Sequence, residues 1–217
     1  MIKANKINFS YGNLKVLKEL DLEIEKGEFV SIVGASGSGK TTLLQLLGTL
    51  ENTDSGEIII DEKSVQKLSA KELAIFRNQK IGFIFQFHNL LAEFSALENV
   101  CLPAYIARIS KKQAEKKAKE ILNMLGLGDR MTHKSGELSG GEQQRVAVAR
   151  ALINSPAVIL ADEPSGNLDS KNAKDLHKLL LKLNQEKGQT IVIVTHNNEL
   201  ANMANRKLEM VDGKLIS

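Results

Sequence analysis

The sequence predicts a mixed α/β fold in which a helical segment interrupts an α/β core. Three observations support this fold class. An apolar, β-rich run at residues 29–33 leads into a glycine-rich loop and then a helical pattern, which is the order strand, loop, helix. Residues 190–195 form a continuous β-branched run, as expected for a strand covered on both faces of its sheet. Residues 87–154 show helical patterns and no convincing strand.

Length and composition fit one such domain. The chain has 217 residues, 42% of them hydrophobic, which is enough for one substantial core. We expect the α/β core to comprise residues 1–86 and 155–217, with residues 87–154 as a helical subdomain. Because the helices interrupt a single core, the sequence favours two lobes of one domain over two independent domains.

The charge balance argues against a nucleic acid partner. Lysine and arginine number 29 against 26 aspartate and glutamate, a net charge of +3, whereas nucleic-acid-binding domains carry a strong basic stripe. Aromatic residues make up 4% of the chain and tryptophan is absent, so stacking platforms for single strands are scarce. The one cysteine, Cys101, cannot form an internal disulfide, which fits a reducing cytosol.

Neither a signal peptide nor a transmembrane helix is predicted. Residues 1–6 lack the apolar run of a signal peptide. The longest apolar stretches, such as residues 157–161, fall far short of the roughly 20 residues needed to span a bilayer. We therefore expect a soluble protein in which any membrane role depends on a partner with spanning helices.

Strands are predicted mainly at the two ends of the chain. Residues 1–28 alternate loosely between apolar and polar, which predicts two or three strands joined at Gly12-Asn13 and ending at the turn Lys26-Gly27. Later predicted strands span 57–61, 81–85, 158–162 and 190–195, followed by a hairpin at 207–216 that turns at Asp212-Gly213.

Helices are predicted from apolar spacing and capping residues. Ser69 with Glu72, and Ser110 with Gln113, fit the capping box that opens a helix. The predicted helices span 42–47, 69–77, 96–108, 110–125, 141–152, 170–186 and 197–205.

The loop after the strand at 29–33 has the residues needed to hold a nucleoside triphosphate. Gly34-Ala35-Ser36-Gly37-Ser38-Gly39-Lys40-Thr41 fits G-x-x-x-x-G-K-[ST]. Its glycines let the backbone take positive φ and approach an anion closely, and the helix that follows adds its positive end. Lys40 supplies a charge for the terminal phosphates, and the Thr41 hydroxyl can bind Mg²⁺.

Two adjacent acids stand at the end of the strand at 158–162. Asp162 stands at the strand end from which phosphate-loop proteins hold Mg²⁺. Glu163 follows directly and could accept a proton from, or orient, the water that attacks the γ-phosphate. Adjacent acids also occur at ordinary helix N-termini, where negative charge is favoured, so these two residues alone leave both interpretations open.

Residues 138–145 resemble the signature of a known family. Leu138-Ser139-Gly140-Gly141-Glu142-Gln143-Gln144-Arg145 matches the signature of the ATP-binding subunits of ATP-binding-cassette transporters. By itself, the segment could also be an N-cap, Ser139, with Gly140-Gly141 as a flexible lead-in to a helix. A serine and two glycines that open a helix also form an anion site. The resemblance covers essentially the whole chain.

This resemblance implies a fold and an assembly. It implies a P-loop NTPase (RecA-like) core, an N-terminal antiparallel β subdomain and an inserted α-helical subdomain. It also implies ATPase activity with ATP and Mg²⁺, in a head-to-tail homodimer that forms on ATP binding. Each ATP would lie between Gly34–Thr41 of one subunit and Ser139–Glu142 of the other, so the single chain is expected to be a poor ATPase.

The resemblance also implies roles for single residues. Tyr11 matches the aromatic residue that stacks on adenine, although a tyrosine on a strand face can also pack in its sheet. Glu163 matches the catalytic acid, and His196 the histidine that senses the γ-phosphate. The implied metal ligands are Thr41, Gln86 and Asp162, and Gln86 also contacts the attacking water. The implied nucleotide-binding residues are Tyr11, Gly34, Ala35, Ser36, Gly37, Ser38, Gly39, Lys40, Thr41, Thr42, Ser139, Gly140, Gly141 and Glu142.

Within the family, three segments are most similar to lipoprotein-releasing ATPases of Gram-negative bacteria: residues 85–91, 94–100 and 165–169. ATPases of macrolide or peptide exporters and of the cell-division type remain alternatives, and Ala92 departs from the proline expected in many lipoprotein-releasing members. The resemblance implies integral-membrane permease subunits that contact the helical subdomain near Gln86–Phe94. It also implies a peripheral location on the cytoplasmic face of the bacterial inner membrane.

Overall fold

The structure, a computed structural model, describes residues 1–216 as an α/β fold with two sheets. The strands are β1 (Ile2–Tyr11), β2 (Leu14–Ile24), β3 (Phe29–Val33), β4 (Ser55–Ile60), β5 (Lys63–Ser64), β6 (Ile81–Phe85), β7 (Val158–Asp162), β8 (Thr190–Val194), β9 (Arg206–Val211) and β10 (Lys214–Ile216). The helices are α1 (Lys40–Leu47), α2 (Ala70–Lys80), α3 (Ala96–Ile106), α4 (Lys111–Met124), α5 (Gly140–Leu152), α6 (Ser170–Lys187) and α7 (Asn198–Asn202). None of the helices in the described range is both long enough and apolar enough to cross a membrane.

The larger sheet brings the ends of four strands to one edge. Its order is β10-β9-β3-β8-β7-β6, parallel throughout except for β10, which returns antiparallel along β9. The register pairs Ile32 with Val194, Val194 with Asp162, and Asp162 with Phe85. Because parallel strands end at the same edge, the residues that follow these four positions lie side by side there.

The two faces of this sheet pack against different partners. Val30, Leu160 and Val192 belong to one apolar cluster, shared with α1 and the smaller sheet. The intervening residues, such as Ile159 and Ile191, belong to a second cluster, shared with α3, α4, α5 and α6. Successive strand side chains point to opposite faces, so burial on both faces explains why β7 and β8 are apolar along most of their length and do not alternate with polar residues.

The smaller sheet confirms the N-terminal antiparallel β subdomain. Its order is β2-β1-β4-β5, with all neighbours antiparallel. The two-residue strand β5 was not expected from the sequence. Asp61 and Glu62, both with positive φ, form the two-residue turn between β4 and β5. Two positive φ values match the twist of a hairpin, which explains how so short a strand can pair.

Capping side chains define where several helices begin. Capping boxes open α2 at Ser69, as expected, and also α3 at Ser95 and α5 at Ser139. The capping box expected at Ser110 is wrong: this hydroxyl donates to Gln113 Oε1 at 2.9 Å and caps no backbone N–H, although α4 still begins at the next residue. A neutral amide is a weaker acceptor than a carboxylate for the N-cap N–H, because charge strengthens a hydrogen bond roughly twofold.

Candidate nucleotide-binding site

The glycine-rich loop folds around the ammonium group of Lys40. Lys40 Nζ donates to the carbonyls of Gly34 at 2.9 Å and Ala35 at 2.7 Å. Gly39 is the N-cap of α1 with φ of 105°, a conformation that favours glycine. At Gly34 a Cβ would lie 2.2 Å from the carbonyl oxygen of Met210, so glycine is required for the loop to pass β9.

A cleft of about 520 Å³ lies beside this loop. Its floor is the glycine-rich loop and the start of α1, and its far side is the edge where β7 and β8 end. Its lining residues are Leu14, Val16, Gly34, Ser36, Gly37, Gly39, Lys40, Thr41, Thr42, Asp162, Glu163, Val194 and His196. The structure therefore brings the loop, both predicted acids and the predicted histidine together around one space.

Thr41 and Asp162 offer two hard oxygen ligands at this cleft. Thr41 Oγ1 donates to Asp162 Oδ1 at 3.4 Å, which joins the start of α1 to the end of β7. Burial raises the pKa of the Asp162 carboxyl, and the nearby charge of Glu163 adds to this. The hydrogen bond from Thr41 and the charge of Lys40 act in the opposite direction. A bound cation would likewise favour the ionised form of Asp162.

Glu163 is fixed at both its backbone and its carboxylate. Its φ of 44° lies in the left-handed region, which is uncommon for glutamate. Its N–H donates to the carbonyl of Val194 at 2.9 Å. Its carboxylate accepts from the Thr195 hydroxyl at 3.2 Å and from the His196 backbone N–H at 2.9 Å, and His196 Nδ1 lies 2.8 Å from the same oxygen. Glu163 and His196 thus form one hydrogen-bonded unit.

Tyr11 lies outside the group of residues that line the cleft. Its ring packs edge-on against Phe9, with 4.8 Å between centroids, and its hydroxyl donates to Gln45 Oε1 at 3.3 Å. The β1–β2 hairpin instead contributes Leu14 and Val16 to the cleft wall. The sequence did not indicate a role for these two residues, although a leucine directly after the predicted turn at Gly12-Asn13 was a usable signal.

Gln86 is likewise not brought to Thr41 and Asp162. Its side-chain Nε2 donates to Asn167 Oδ1 at 3.1 Å, and Asn167 Nδ2 donates back to the Gln86 carbonyl at 3.1 Å. The residue follows β6 at the same sheet edge, but its amide pairs with the loop after Glu163. The structure therefore joins Gln86 to residues 165–169 and not to the cleft.

Ser139 to Glu142 form the N-terminus of α5. Ser139 Oγ accepts from the Glu142 N–H at 3.3 Å, and the Glu142 carboxylate accepts from the Ser139 N–H at 2.8 Å. At Gly141 a Cβ would lie 2.1 Å from Asn172 Oδ1, so glycine allows α5 to approach α6 this closely. In the described part of the chain, residues 139–142 do not line the cleft beside Gly34–Thr41.

Two buried polar side chains hold the loop that follows Glu163. Gln144 Nε2 donates to the carbonyl of Pro164 at 2.7 Å, and His177 Nε2 lies 2.9 Å from Ser165 Oγ. Sequence reasoning assigned neither residue. The helical period was a usable signal for Gln144, because it shares its face with the buried residues Val148 and Ala151, four and seven positions later.

A second concavity, largely apolar and about 460 Å³ in volume, is lined by residues of α2, β6, α3 and α5. We call it the β6 groove; its lining includes Phe83, Ile106 and Arg150. Ile106 is 70% exposed, and Phe87, on the segment that follows β6, is 69% exposed. The Arg150 guanidinium donates to the carbonyls of residues 88 and 89, which fixes this segment beside the groove.

Comparison with sequences of known proteins gives a consistent assignment. The model of the ABC transporter family matches residues 17–166. The lipoprotein-releasing system ATP-binding protein LolD of Bacteroides thetaiotaomicron is 60% identical over 215 residues, which cover 99% of each chain. The protein of the same name from Aquifex aeolicus is 49% identical over 216 residues, which cover 100% of this chain and 96% of that one.

Solved structures agree with this assignment. A dimeric ATP-binding cassette in a post-hydrolysis state, bound to ADP and Pi, is 42% identical with a TM-score of 0.90, covering 100% of this chain and 97% of its own. A dimeric bacterial ABC transporter cassette is 43% identical with the same TM-score and the same coverage. Because the family model covers most of the chain and the relatives match it along nearly its whole length, the chain belongs to the ABC transporter family, as an ATP-binding-cassette ATPase.

Proposed function

We propose that this ATPase supplies the energy for releasing lipoproteins from the bacterial inner membrane. The observation that carries this proposal is its end-to-end similarity to proteins named as lipoprotein-releasing ATP-binding subunits, at 60% identity for one of them. In this proposal the chain is peripheral, on the cytoplasmic face of the membrane. Permease subunits supply the spanning helices, and the transported lipoprotein does not touch this chain.

The proposed nucleotide site uses the cleft residues described above. The backbone N–H groups of Gly34–Thr41 and the N-terminus of α1 bind the phosphates, with Lys40 on the terminal ones. Leu14 and Val16 present apolar surface to the base and ribose, beside Tyr11. Tyr11 keeps its proposed role on adenine only if its hydroxyl leaves Gln45.

The residues at the sheet edge also fit a magnesium ion. Mg²⁺ prefers oxygen ligands and is held in such sites by one or two protein groups together with phosphate oxygens. Thr41 Oγ1 and Asp162 Oδ1, which lie 3.4 Å apart, are oxygen ligands of this kind. When bound, the ion would neutralise charge on the phosphates. Gln86 is the third proposed ligand, and it must release Asn167 to take part.

For hydrolysis we assign Glu163 to orient and deprotonate the attacking water. Its carboxylate is held by Thr195 and His196, so little reorganisation is needed when a water binds. His196 bridges this carboxylate and the cleft, which suits it to contact the γ-phosphate. Loss of that phosphate would then remove a contact of His196, which lies just after the end of β8.

The second half of each site comes from another copy of the chain. The N-terminus of α5, opened by Ser139 with Gly140 and Gly141, is an anion site without a phosphate loop opposite it in its own chain. Two copies placed head to tail bring it to the cleft of the partner. The dimeric state of the two similar cassettes supports this arrangement.

The permease would dock on the helical subdomain, which we assign to residues 87–154 beside the core of 1–86 and 155–217. The β6 groove and the exposed Phe87 give an apolar surface next to Gln86–Phe94. ATP-driven closure of the dimer would move this surface and pull the attached permease. The shift follows because ATP binds the closed state better than the open one.

Copurification from detergent-solubilised membranes, followed by reconstitution, tests the proposal. We expect a permease with a large extracytoplasmic domain to copurify. In liposomes, the complex should transfer an acylated lipoprotein to a soluble acceptor when ATP is added. Release of a macrolide or peptide instead, or recovery of cell-division factors with no transport, would overturn the proposed substrate.

A matched pair of variants tests the docking surface. Ile106→Asp places a charge at the β6 groove and should abolish permease binding while leaving ATP binding intact. Met124→Asp, at an exposed methionine at the end of α4, is the control and should leave copurification unchanged. Equal copurification of both variants would remove the groove from the interface.

A further inference from the structure

Gln144 is a fully buried glutamine whose amide is only half paired. Its Nε2 donates to the carbonyl of Pro164 at 2.7 Å and, at a longer 3.4 Å, to that of Phe85. Its Oε1 is buried and accepts no hydrogen bond in the described part of the chain. Burying an unpaired amide oxygen costs stability, so what this side chain contributes is the pairing of its Nε2 with the two carbonyls.

The two carbonyls that Gln144 contacts flank residues with proposed chemical roles. Pro164 directly follows Glu163, and Phe85 directly precedes Gln86. Gln144 itself lies on α5, the helix that Ser139 opens. One side chain therefore links α5, the helix that the signature segment opens, to the backbone at Glu163 and to the backbone at Gln86.

The backbone at Glu163 needs such support. A non-glycine residue with φ of 44° persists only where its surroundings hold it in place. The bond from the Glu163 N–H to the Val194 carbonyl fixes the strand side of this residue. The bond from Gln144 to the Pro164 carbonyl fixes the other side, one residue further along the chain.

We propose that Gln144 is a positioning residue for ATP hydrolysis: its amide fixes the backbone that carries the Glu163 carboxylate and ties it to α5. This inference rests on the role proposed above for Glu163. Because α5 also presents Ser139 to the partner subunit, a shift of α5 on dimer closure reaches Glu163 through this amide. Gln144 does not touch the nucleotide, so it acts on turnover and not on ATP affinity.

Replacing Gln144 with methionine removes the amide while keeping its size. We expect Gln144→Met to lower kcat for ATP at least about tenfold, because small displacements of a catalytic group are costly, and to change KM by less than about twofold. Gln144→Glu gives a second readout. Only its protonated carboxyl can donate to Pro164, so its activity relative to the wild type should rise as the pH falls.

Asn184 provides a matched control. It is also a buried amide that donates to two carbonyls, those of Gly27 at 2.7 Å and Gln189 at 3.0 Å. These lie at the opposite end of the larger sheet, where β3 and β8 begin. Asn184→Leu should lower thermal stability and leave kcat within about twofold of the wild type.

The outcomes separate this inference from the proposal on which it rests. Near-normal kcat in Gln144→Met, or a Gln144→Glu variant whose activity relative to wild type does not depend on pH, overturns the role of Gln144. An equal loss of kcat in Asn184→Leu would also overturn it, since any buried amide would then matter. Glu163→Gln is measured in parallel, and normal turnover in that variant overturns the role of Glu163 itself.

Discussion

Glu163 combines an uncommon backbone conformation with a carboxylate that is held by its neighbours. Its carboxylate accepts two hydrogen bonds from consecutive residues, Thr195 and His196, at the end of β8. Only 18% of its side chain is exposed, so water reaches it mainly from the cleft. A group fixed in this way needs little rearrangement before it acts, which is the main source of catalytic power in preorganised sites. The geometry thus favours Glu163 over Asp162 as the group that acts on water.

Glu163→Gln should separate ATP binding from hydrolysis. The amide keeps the size of the side chain but cannot accept a proton, so we expect kcat to fall at least about 100-fold while ATP still binds. With hydrolysis blocked, the ATP-bound dimer should accumulate and elute as a dimer in gel filtration only when ATP is present. Turnover near that of the wild type would contradict the assignment.

His177 makes stability depend on pH. Burial lowers its pKa below the ordinary value for histidine, with the charge of Glu199 acting in the opposite direction. Below about pH 6.5 the unfolded chain therefore gains a proton that the folded chain resists, and stability falls as the pH falls. His177→Gln should reduce this fall by at most about 1.4 kcal/mol per pH unit. Urea unfolding between about pH 7.5 and about pH 5.5, one unit on either side of the ordinary histidine pKa of about 6.5, measures it.

The slope should not vanish in that variant. Burial also lowers the pKa of His88, so this second histidine acts in the same direction. A His177→Gln profile that superimposes on the wild-type profile would show that His177 is protonated equally in both states.

At the scale of elements, the structure depends on how helix N-termini are capped. Ser69 accepts a backbone N–H of α2, whereas the Ser110 hydroxyl is directed to Gln113 and caps no N–H of α4. Both serines are exposed and both directly precede their helices. They therefore provide a matched comparison of a formed and an unformed cap.

Ser69→Ala should cost about 1 kcal/mol of stability, whereas Ser110→Ala should cost less than about 0.5 kcal/mol. For a chain of this size, 1 kcal/mol corresponds to a fall in Tm of about 2–4 °C. Differential scanning calorimetry of the two variants measures the difference. Equal shifts would show that the Ser110 side chain caps α4 in solution.

At the scale of the whole molecule, the proposed assembly assigns two separated halves of an ATP site to each chain. The cleft residues surround the phosphate loop, while Ser139–Glu142 open α5 elsewhere in the same chain. A dimer in which each half meets its complement forms two complete sites. Residues of the two halves can then be inactivated in different chains, which makes the assembly testable.

Mixing two inactive variants should restore activity. Ser139→Asp keeps an N-cap residue but places a negative charge where the partner's phosphate would lie, and Glu163→Gln blocks hydrolysis. In a mixed head-to-tail dimer, one site carries both changes and the other carries neither. We expect the mixture to recover up to about a quarter of wild-type ATPase activity, since about half of the dimers are mixed and each has one intact site. No recovery at any mixing ratio would contradict the composite site.

Much of the fold and the phosphate loop could be predicted from the sequence, because those signals are local. Alternation and β-branched runs give strands such as 190–194, and the spacing of Gly34, Gly39 and Lys40 specifies a loop whose own backbone binds the anion. Helix limits were less accurate. The short helix expected at 197–205 spans only Asn198–Asn202. Residues 203–205 instead form a turn that leads into β9, where Asn205 exchanges hydrogen bonds with Phe29 at the start of β3, a residue 176 positions away.

Side-chain partners were decided by the tertiary structure. The sequence placed Gln86 at a strand end, but packing put it against Asn167, a residue 81 positions away. Likewise, Leu14 and Val16, and not Tyr11, form the cleft wall, since the register of β1 and β2 sets which side chains face the glycine-rich loop. Gln144 lies within the signature segment and on the buried face of its helix, but neither signal indicates that its amide contacts Pro164. His177 belongs to no motif, because a role that depends on a buried contact leaves little trace in local sequence.

The sequence by itself determined the chemistry that the chain can offer: a phosphate loop, two acids at a strand end, a helix that can bind an anion, and a histidine after a second strand. These follow from residue types at fixed spacing, which the backbone converts directly into local geometry. Only the tertiary structure decided which of these groups meet. The register of four parallel strands brought Glu163 to His196, and the packing of α5 placed Ser139 outside the cleft. Contacts between distant residues depend on how whole elements pack, and no short stretch of sequence contains that information.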